Sequence, residues 1–422
     1  MEKRLNGQTM TQTIAVLDAG TTRVTCFIAE LNVGGEIQIT GIGHEVASGI
    51  SKGTIVDMDS AANAIRRSVH RAETMAGTRV DSVFAGLSGN AVSSAYASAS
   101  IKVKGRMIDD EDIQNAFDSA GLDQGVLDQA LLHAIPISFD LDNVSGIRDP
   151  RGMQGSELSI RLHLVSVADS GLRNLIACVN RCDLTVTAPV NSAYAAGLAC
   201  LVQDEMDLGV TLIDLGGGTT NISTFSEGEL TWVTSIPIGA QHITNDIAKG
   251  LSTPVASAER MKRFFADAIG GSPDDREMVE VPMLGETDSS AVKQVPRALL
   301  AGIVRPRLEE TFEIVRDVLD QSPAVSLSDR RVVLTGGGSE LAGVADLASQ
   351  VMDKQVRLAK PLPIPGLAEA AAGPDCATTA GLLIYAATKH SASNSRPSHG
   401  RPPPWITETA IGRIGQWLRQ NF

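Results

Sequence analysis

Apolar residues recur along this chain with two different periods. Residues 13–17 (TIAVL), 23–31 (RVTCFIAEL) and 36–45 (EIQITGIGHE) read as strands, the first two joined by the turn DAGTT. Residues 59–77 place Ala62, Ile65, Val69, Ala72 and Met75 at helical spacing, with Asp59 or Ser60 as cap and Gly77 as stop. A strand follows in DSVFAGLSG. From about Asn90 the texture changes. AYASASIKVKG alternates as a strand does, and DDEDIQNAFDSAG is a capped amphipathic helix. LLHAIPISFDLD and SELSIRLHLVSVA are strands flanking the Gly/Pro-rich GIRDPRGMQG, and GLRNLIACVNRC is a helix. Then the opening pattern returns: residues 209–239 spell strand, glycine turn, strand, hairpin and strand. Helices are expected in ASAERMKRFF and in the long PRALLAGIVRPRLEETFEIVRDVLDQ. RRVVLTGGGSEL reads as strand, glycine turn and helix start.

The duplication predicts an α/β protein of two related halves, with an inserted α+β unit. The expected partition is 13–89 with 168–203 for the first core half and 90–167 for the insert. The second half takes 208–250 with 331–388, its helical part 251–330. Residues 389–404 form a linker and 405–422 a terminal helix. The segment 391–404 (SASNSRPSHGRPPP) is polar and Pro-rich, as linkers are.

Charge separates the tail from the body. Net charge is −13 over 422 residues. From Lys389 onward five cations face one acid, Glu408, which leaves −17 on the body. That balance argues against a nucleic-acid partner and points the tail at an anionic one. The five cysteines make no disulfide framework, and Cys178 and Cys182 have no second pair for a metal. The histidines show no metal spacing; His44, His70, His133, His163 and His242 are expected to be structural. MEKRLNGQTMTQTIAVL lacks the apolar core of a signal peptide, and no run of 18 apolar residues occurs, so the cytoplasm is the expected compartment.

The two turns carry the candidate chemistry. Asp18-Ala19-Gly20-Thr21-Thr22-Arg23 and Asp214-Leu215-Gly216-Gly217-Gly218-Thr219-Thr220 each run from a strand ending in Asp into glycine-rich backbone. Such backbone exposes N–H groups that bind phosphate oxygens, and the threonine hydroxyls add donors. Asp18 and Asp214 repel phosphate but suit a hydrated Mg2+ held by the same phosphates. A third turn, Gly336-Gly337-Gly338-Ser339, fits the base-and-ribose end of a nucleotide. Neither GGGTTN nor GGGSEL keeps the dinucleotide-binding glycine spacing.

These three phrases, in this order, resemble the actin-like ATPase superfamily. The resemblance implies that the two hairpin turns bind the phosphates of ATP and the third turn adenosine, with Glu259 and Lys262 of AERMKRFF touching ribose and adenine. Residues 146–165 and 55–77, with the tail, resemble the FtsA family, which tethers FtsZ filaments to the bacterial inner membrane at the septum. That implies an FtsA-type (SHS2-like) insert and actin-like self-assembly. It also implies an FtsZ C-terminal peptide site near the helix of Arg305 and Arg307, and contacts with later division proteins. Position 221 is Asn where such turns often carry Asp, and 188–201 lacks an acidic start, Asn191 being its only candidate. A water aimed at the γ-phosphate needs an acceptor nearby, so slow or absent hydrolysis is expected.

On a helical projection, Ile406, Ile411, Ile414, Trp417, Leu418 and Phe422 share one side of the tail, while Arg413 and Arg419 lie on the other. Six such side chains carry a gross burial energy of about 10 kcal/mol, offset by the cost of ordering. This reads as a membrane-surface helix, or as a helix docked on protein. Two other functions stay open: a small-molecule kinase of the sugar-kinase type, and a scaffold of another envelope machine.

Overall fold

A computed structural model describes residues 11–32, 35–89, 91–121, 128–270, 276–285, 292–322 and 331–394. The chain begins with β1 (Gln12–Ala19), β2 (Arg23–Leu31) and β3 (Ile37–Val46), then the short hairpin β4 (Ile50–Ser51) and β5 (Thr54–Ile55). Helix α1 (Met58–Ala76) follows, capped by Asp57, whose carboxylate accepts from Asp59 N and Ser60 N. The cap thus sits two residues before the earlier of the two expected positions. Gly77 ends the helix in the left-handed region, as its sequence position suggests. Strand β6 (Ser82–Leu87) completes the segment.

The insert comprises β7 (Ser93–Lys102), α2 (Asp110–Ser119), β8 (Gln129–Leu141), β9 (Val144–Ile147) and β10 (Glu157–Ala168). Its antiparallel sheet runs β7-β10-β8-β9, with a core of its own around Phe117, Phe139 and Ile160. The chain returns through α3 (Asp169–Asn180), β11 (Thr185–Asn191), α4 (Ser192–Cys200) and α5 (Gln203–Leu208).

The second half opens with β12 (Val210–Leu215), β13 (Thr220–Ser226) and β14 (Glu229–Ile236). Helices α6 (Ala240–Leu251) and α7 (Val255–Phe265), strands β15 (Met278–Pro282) and β16 (Val292–Pro296), and α8 (Arg297–Asp320) follow. Pro306 lies inside α8 without ending it. Then come β17 (Arg331–Thr335), α9 (Val344–Met352), β18 (Gln355–Leu358) and α10 (Ala377–Asn394).

The two main sheets have the same plan. One runs β3-β2-β1-β6-β11 and the other β14-β13-β12-β17-β18; in each, the first three strands are antiparallel and the rest parallel. β1 and β12 are therefore equivalent central strands. In α/β sheets, ligands bind beyond the carboxyl ends of such strands, where both aspartates stand.

Two helices cross between the sheets. α4 follows a strand of the first sheet, yet its alanines pack with Leu212, Phe225 and Val333 of the second. α10 follows the second sheet, yet Leu382, Leu383 and Ala386 pack on Ile14, Val16 and Phe27 of the first. Both helices are apolar nearly all round, the pattern of a helix enclosed on every side. Their crossing is tight, since a Cβ on Gly381 would run into the Ala195 carbonyl; α4 is equally close to the second sheet, where a Cβ on Gly197 would run into the Phe225 ring of β13. α10 also continues through Asn394, into the stretch expected to be linker. Lys389 lies over the Tyr385 ring and His390 meets Gln12, which carries the packing past residue 388.

The insert is fastened to the open edge of the second sheet. Ser94 Oγ lies 2.9 Å from both Val233 N and Val233 O, Tyr96 donates to Thr231 O at 2.7 Å, and His163 Nδ1 meets Leu230 O at 2.9 Å. Side chains of β7 and β10 thus occupy backbone groups that edge strand β14 would otherwise leave unpaired.

Adding a methyl at the helix crossing overpacks it. Gly381→Ala is expected to lower stability by about 1–3 kcal/mol, less a helix-propensity gain of up to about 1 kcal/mol. Gly302→Ala in α8, where a Cβ meets nothing within 4 Å, is expected to be neutral or stabilising. Urea unfolding of the full chain compares them; equal effects would contradict the close crossing.

Candidate functional site

The first turn joins the central hairpin β1–β2, in which Asp18 pairs with Thr25 and Ala19 with Val24. Gly20 is required there, because a Cβ would stand 2.8 Å from Arg23 O. Arg23 leaves the turn toward the segment before α10. It forms an ion pair with Asp375 Oδ2 at 2.6 Å and donates to Asp375 O at 3.2 Å and Cys376 Sγ at 3.3 Å.

In the second turn Gly216 N donates to Thr219 O at 2.9 Å. The carbonyls of Gly216 and Gly217 accept from Ala240 N and Gln241 N, the first amides of α6, each at 2.8 Å. Gly239 makes this approach possible, since a Cβ there would press on Gly217 O at 2.7 Å. Across a trans peptide the next N–H points opposite to the carbonyl, and no cis bond occurs among the described residues. The amides of Gly217 and Gly218 therefore face away from α6. Glycine at both positions keeps those amides uncovered.

The two turns touch. A Cβ on Gly217 would collide with Thr22, and one on Gly218 with Thr21. A phosphate laid between them requires the halves to part. Beneath them stand the aspartates. Asp214 is buried and accepts from Asn221 Nδ2 and Thr378 Oγ1, each at 3.4 Å. Asp18 keeps some exposed surface, but protein encloses its carboxyl closely. Burial, and then the Asp214 charge, push Asp18 up to about 7, with Arg23 opposing. Burial pushes Asp214 up to about 6 against its two hydrogen bonds. A Cβ on Gly86 would lie 3.2 Å from Asp18 Oδ1 and 3.4 Å from Ser192 Oγ. Ser192 is buried and its hydroxyl has no partner among the described residues. Two carboxylates that oppose each other's charge beside an orphaned hydroxyl fit a hydrated divalent cation.

The third turn packs on the second. Gly336, at φ +85°, would strike Asp214 Oδ1 if it had a Cβ, and Gly338 would meet the Leu215 side chain. Ser339 N and Oγ both donate to Gly336 O, at 2.9 and 2.7 Å. The helix start expected here is a single 3-10 turn, Gly337–Glu340, and α9 begins only after Gly343. Lys262, buried on α7, reaches Glu259 Oε2 at 2.8 Å, Thr244 Oγ1 at 2.9 Å and Ala240 O at 3.2 Å. Burial works against the Glu259 charge, but hydrogen bonds from Lys262 and Thr244 outweigh it and hold its carboxyl below the usual range. The pair locks α7 to the start of α6, and so to the second turn.

Arg305 and Arg307 face different partners on α8. Arg305 pairs with Glu309 at 2.7 Å and donates to Ile269 O; Arg307 pairs with Asp246 at 2.6 Å and with Glu310. Asn191 is buried, and its side-chain oxygen accepts from Tyr194 N at 3.0 Å as the cap of α4. The tail residues Ile406, Ile411, Arg413, Ile414, Trp417, Leu418, Arg419 and Phe422 lie outside the described residues. Sequence reading missed Asp375, Ser192 and Thr378, which no local motif marks. It also missed the β4–β5 tip, where Gly53 N donates to Thr21 Oγ1 at 3.0 Å.

Comparison with known proteins follows the same line. A family model described as "Cell division protein FtsA" matches residues 211–381, and "SHS2 domain inserted in FTSA" matches 89–166. The cell division protein FtsA of Agrobacterium fabrum is 39% identical over 97% of this chain and 95% of its own. That of Pseudomonas aeruginosa is 34% identical over 97% and 98%, and that of Escherichia coli K12 30% over 96% and 97%. Among solved structures, the PilM-PilN type IV pilus biogenesis complex superposes with TM-score 0.61 at 15% identity, covering 89% of this chain and 98% of that one. MreB5 of Spiroplasma citri bound to ADP gives 0.55 at 13%, covering 91% and 99%. These two likenesses show the fold, that of the actin-like ATPases.

The raised aspartates set a pH dependence. Unfolded, they ionise near pH 4; folded, only as pH passes about 6 and 7. Without metal, their contribution to stability is full below about pH 4 and is lost as pH rises through 7. Asp18→Asn removes the larger part of that loss. In EDTA, its urea midpoint minus that of the unsubstituted chain is expected to grow from pH 4 to 7.5. A constant or shrinking difference would contradict the assignment.

Proposed function

The chain belongs to the FtsA family of cell division proteins, and on that premise we propose that it binds ATP with Mg2+ between its two halves, assembles on the membrane and holds FtsZ filaments there. The observation that carries the nucleotide reading is the apposition of two amide-bearing turns over two carboxylates that oppose each other's charge. In this reading Gly20, Thr21, Thr22, Gly217 and Gly218 bind the phosphates. Asp18 and Asp214 hold the metal through water, and the 336–339 turn with α7 receives adenosine. The cation supplies charge neutralisation between phosphates and carboxylates. Two MreB5 structures of the same fold were solved with ADP and AMPPNP, which supports a nucleotide in this cleft.

Hydrolysis is slow in this reading. Asn191 spends its oxygen on the α4 cap, and Asn221 is tied between Asp214 and Ser235. Neither is a carboxylate able to take a proton from water. The nucleotide then acts as a ligand for closure and assembly more than as fuel.

The tail supplies membrane attachment. No helix among the described residues is long and apolar enough to cross a membrane. The amphipathic 405–422 segment, with the basic balance from Lys389 onward, suits the anionic surface of the inner leaflet. One copy binds reversibly; copies joined in a filament bind far more firmly through effective concentration. The helical part of the second half, 251–330, carries the FtsZ peptide in this reading. Arg305 and Arg307 contribute only by exchanging their present carboxylates for those of the peptide. The kinase reading lacks an identified catalytic Asp. The likeness to the pilus complex extends to fold alone, so neither displaces a division role.

The test is liposome co-sedimentation of FtsZ with the full chain and with Trp417→Glu/Leu418→Glu. The doubly substituted chain is expected to leave FtsZ in the supernatant with anionic vesicles, while the unsubstituted chain brings it down. Equal recruitment by both would contradict the adaptor reading.

A further inference from the structure

The β4–β5 hairpin is joined by Lys52 and Gly53, at φ +50° and +70°, the two-residue turn that requires left-handed backbone at both positions. Asn is the residue best suited to the first position, and Lys has no advantage there. The same pair recurs at Lys104 and Gly105, at φ +57° and +72°, where a Cβ on the glycine meets nothing within 4 Å. The first pair is wedged in. A Cβ on Gly53 would stand 2.8 Å from Ser88 Oγ and 2.9 Å from Gly89 N.

Three loops converge at this tip. Gly53 N donates to Thr21 Oγ1 of the first turn. Lys52 N lies 2.9 Å from where a Cβ on Gly218 of the second turn would stand, so only glycine fits opposite it. The hairpin is not free to drift: Val56 N and Asp57 N both donate to Gly49 O, at 2.8 and 3.1 Å, and Asp57 caps α1. The hairpin and first turn belong to one half, Gly218 to the other. The backbone of Lys52 is therefore a contact across the cleft at the phosphate turns.

The cations around that cleft differ in what they are doing. Arg23 is paired with Asp375, and Lys262 with Glu259. Lys52 is exposed and has no ion pair among the described residues. It is an uncommitted charge on a rigid tip, beside amides that face outward from the second turn.

We propose that Lys52 is a specificity-determining residue that contacts the terminal phosphate of a nucleoside triphosphate held between the turns, so that the hairpin tip distinguishes ATP from ADP. This rests on the nucleotide reading above. A charge-assisted contact made only to the third phosphate weakens triphosphate binding when lost and leaves diphosphate binding nearly unchanged. It also makes contact of the tip with Gly218 depend on which nucleotide is present.

The experiment measures ATP and ADP affinity of the full chain with Mg2+ by calorimetry, for the unsubstituted protein and for Lys52→Asn and Lys52→Arg. Asn keeps the left-handed turn without the charge, so its thermal midpoint should equal or exceed the original. For Lys52→Asn, ATP affinity is expected to fall about tenfold or more, and ADP affinity to change less than about twofold. Lys52→Arg should restore most of the preference. Equal weakening of both nucleotides, or no change in either, with the unsubstituted chain binding both, overturns the role of Lys52 and leaves the nucleotide reading standing. No uptake of either nucleotide by the unsubstituted chain overturns both.

Discussion

Two carboxylates, Asp18 and Asp214, end the central strands of two like sheets; burial makes both harder to ionise, and the Asp214 charge adds to this at Asp18. Near neutral pH that arrangement costs free energy unless a cation joins it. The surrounding sequence is built to keep them there. Strand pairing fixes both positions, and the glycines that follow leave room for nothing but backbone. The hydroxyls of Thr378 and Ser192 and the amide of Asn221 stand around the pair. Electrostatic opposition at the floor and outward-facing amides above suit a polyanion that carries its own metal ion, the ligand proposed for this cleft.

The rest of the fold couples that site to distant surfaces. α4 and α10 exchange sheets and cross at Gly381, so the halves cannot shift without sliding one helix on the other. The insert reaches across to β14 through Ser94, Tyr96 and His163, with Arg148 3.8 Å from Asp207 as an outer contact. The insert also meets the first half, where Asn191 N donates to His133 Nε2 at 3.0 Å, so both halves hold it. Among the described residues, the candidate site and the insert are joined through packed elements.

Much of this was legible in the residues. The Asp-Gly-Thr turns, the strands beside them, the insert and the glycines at 336–338 are local patterns, and the repeat gave them weight. What was not legible is tertiary. SAYAAGLAC and ATTAGLLIYAATKH are apolar on every side, so periodicity does not say which sheet each covers. β15 and β16 are five-residue strands whose pairing depends on each other. Ser94 and Val233 are 139 positions apart and meet by side chain to backbone, which leaves no motif. Lys52 looks like any surface lysine until its backbone is seen against Gly218. Asn191, the only candidate acceptor in 188–201, ends β11 and spends its side chain as the cap of α4.

The central claim is that both turns grip one ligand together. Amide hydrogen exchange in the full chain, with and without ATP and magnesium, reports on it directly. The account predicts that residues 20–22 and 216–220 slow together when the nucleotide is added. Slowing in only one turn, or in neither, would contradict it.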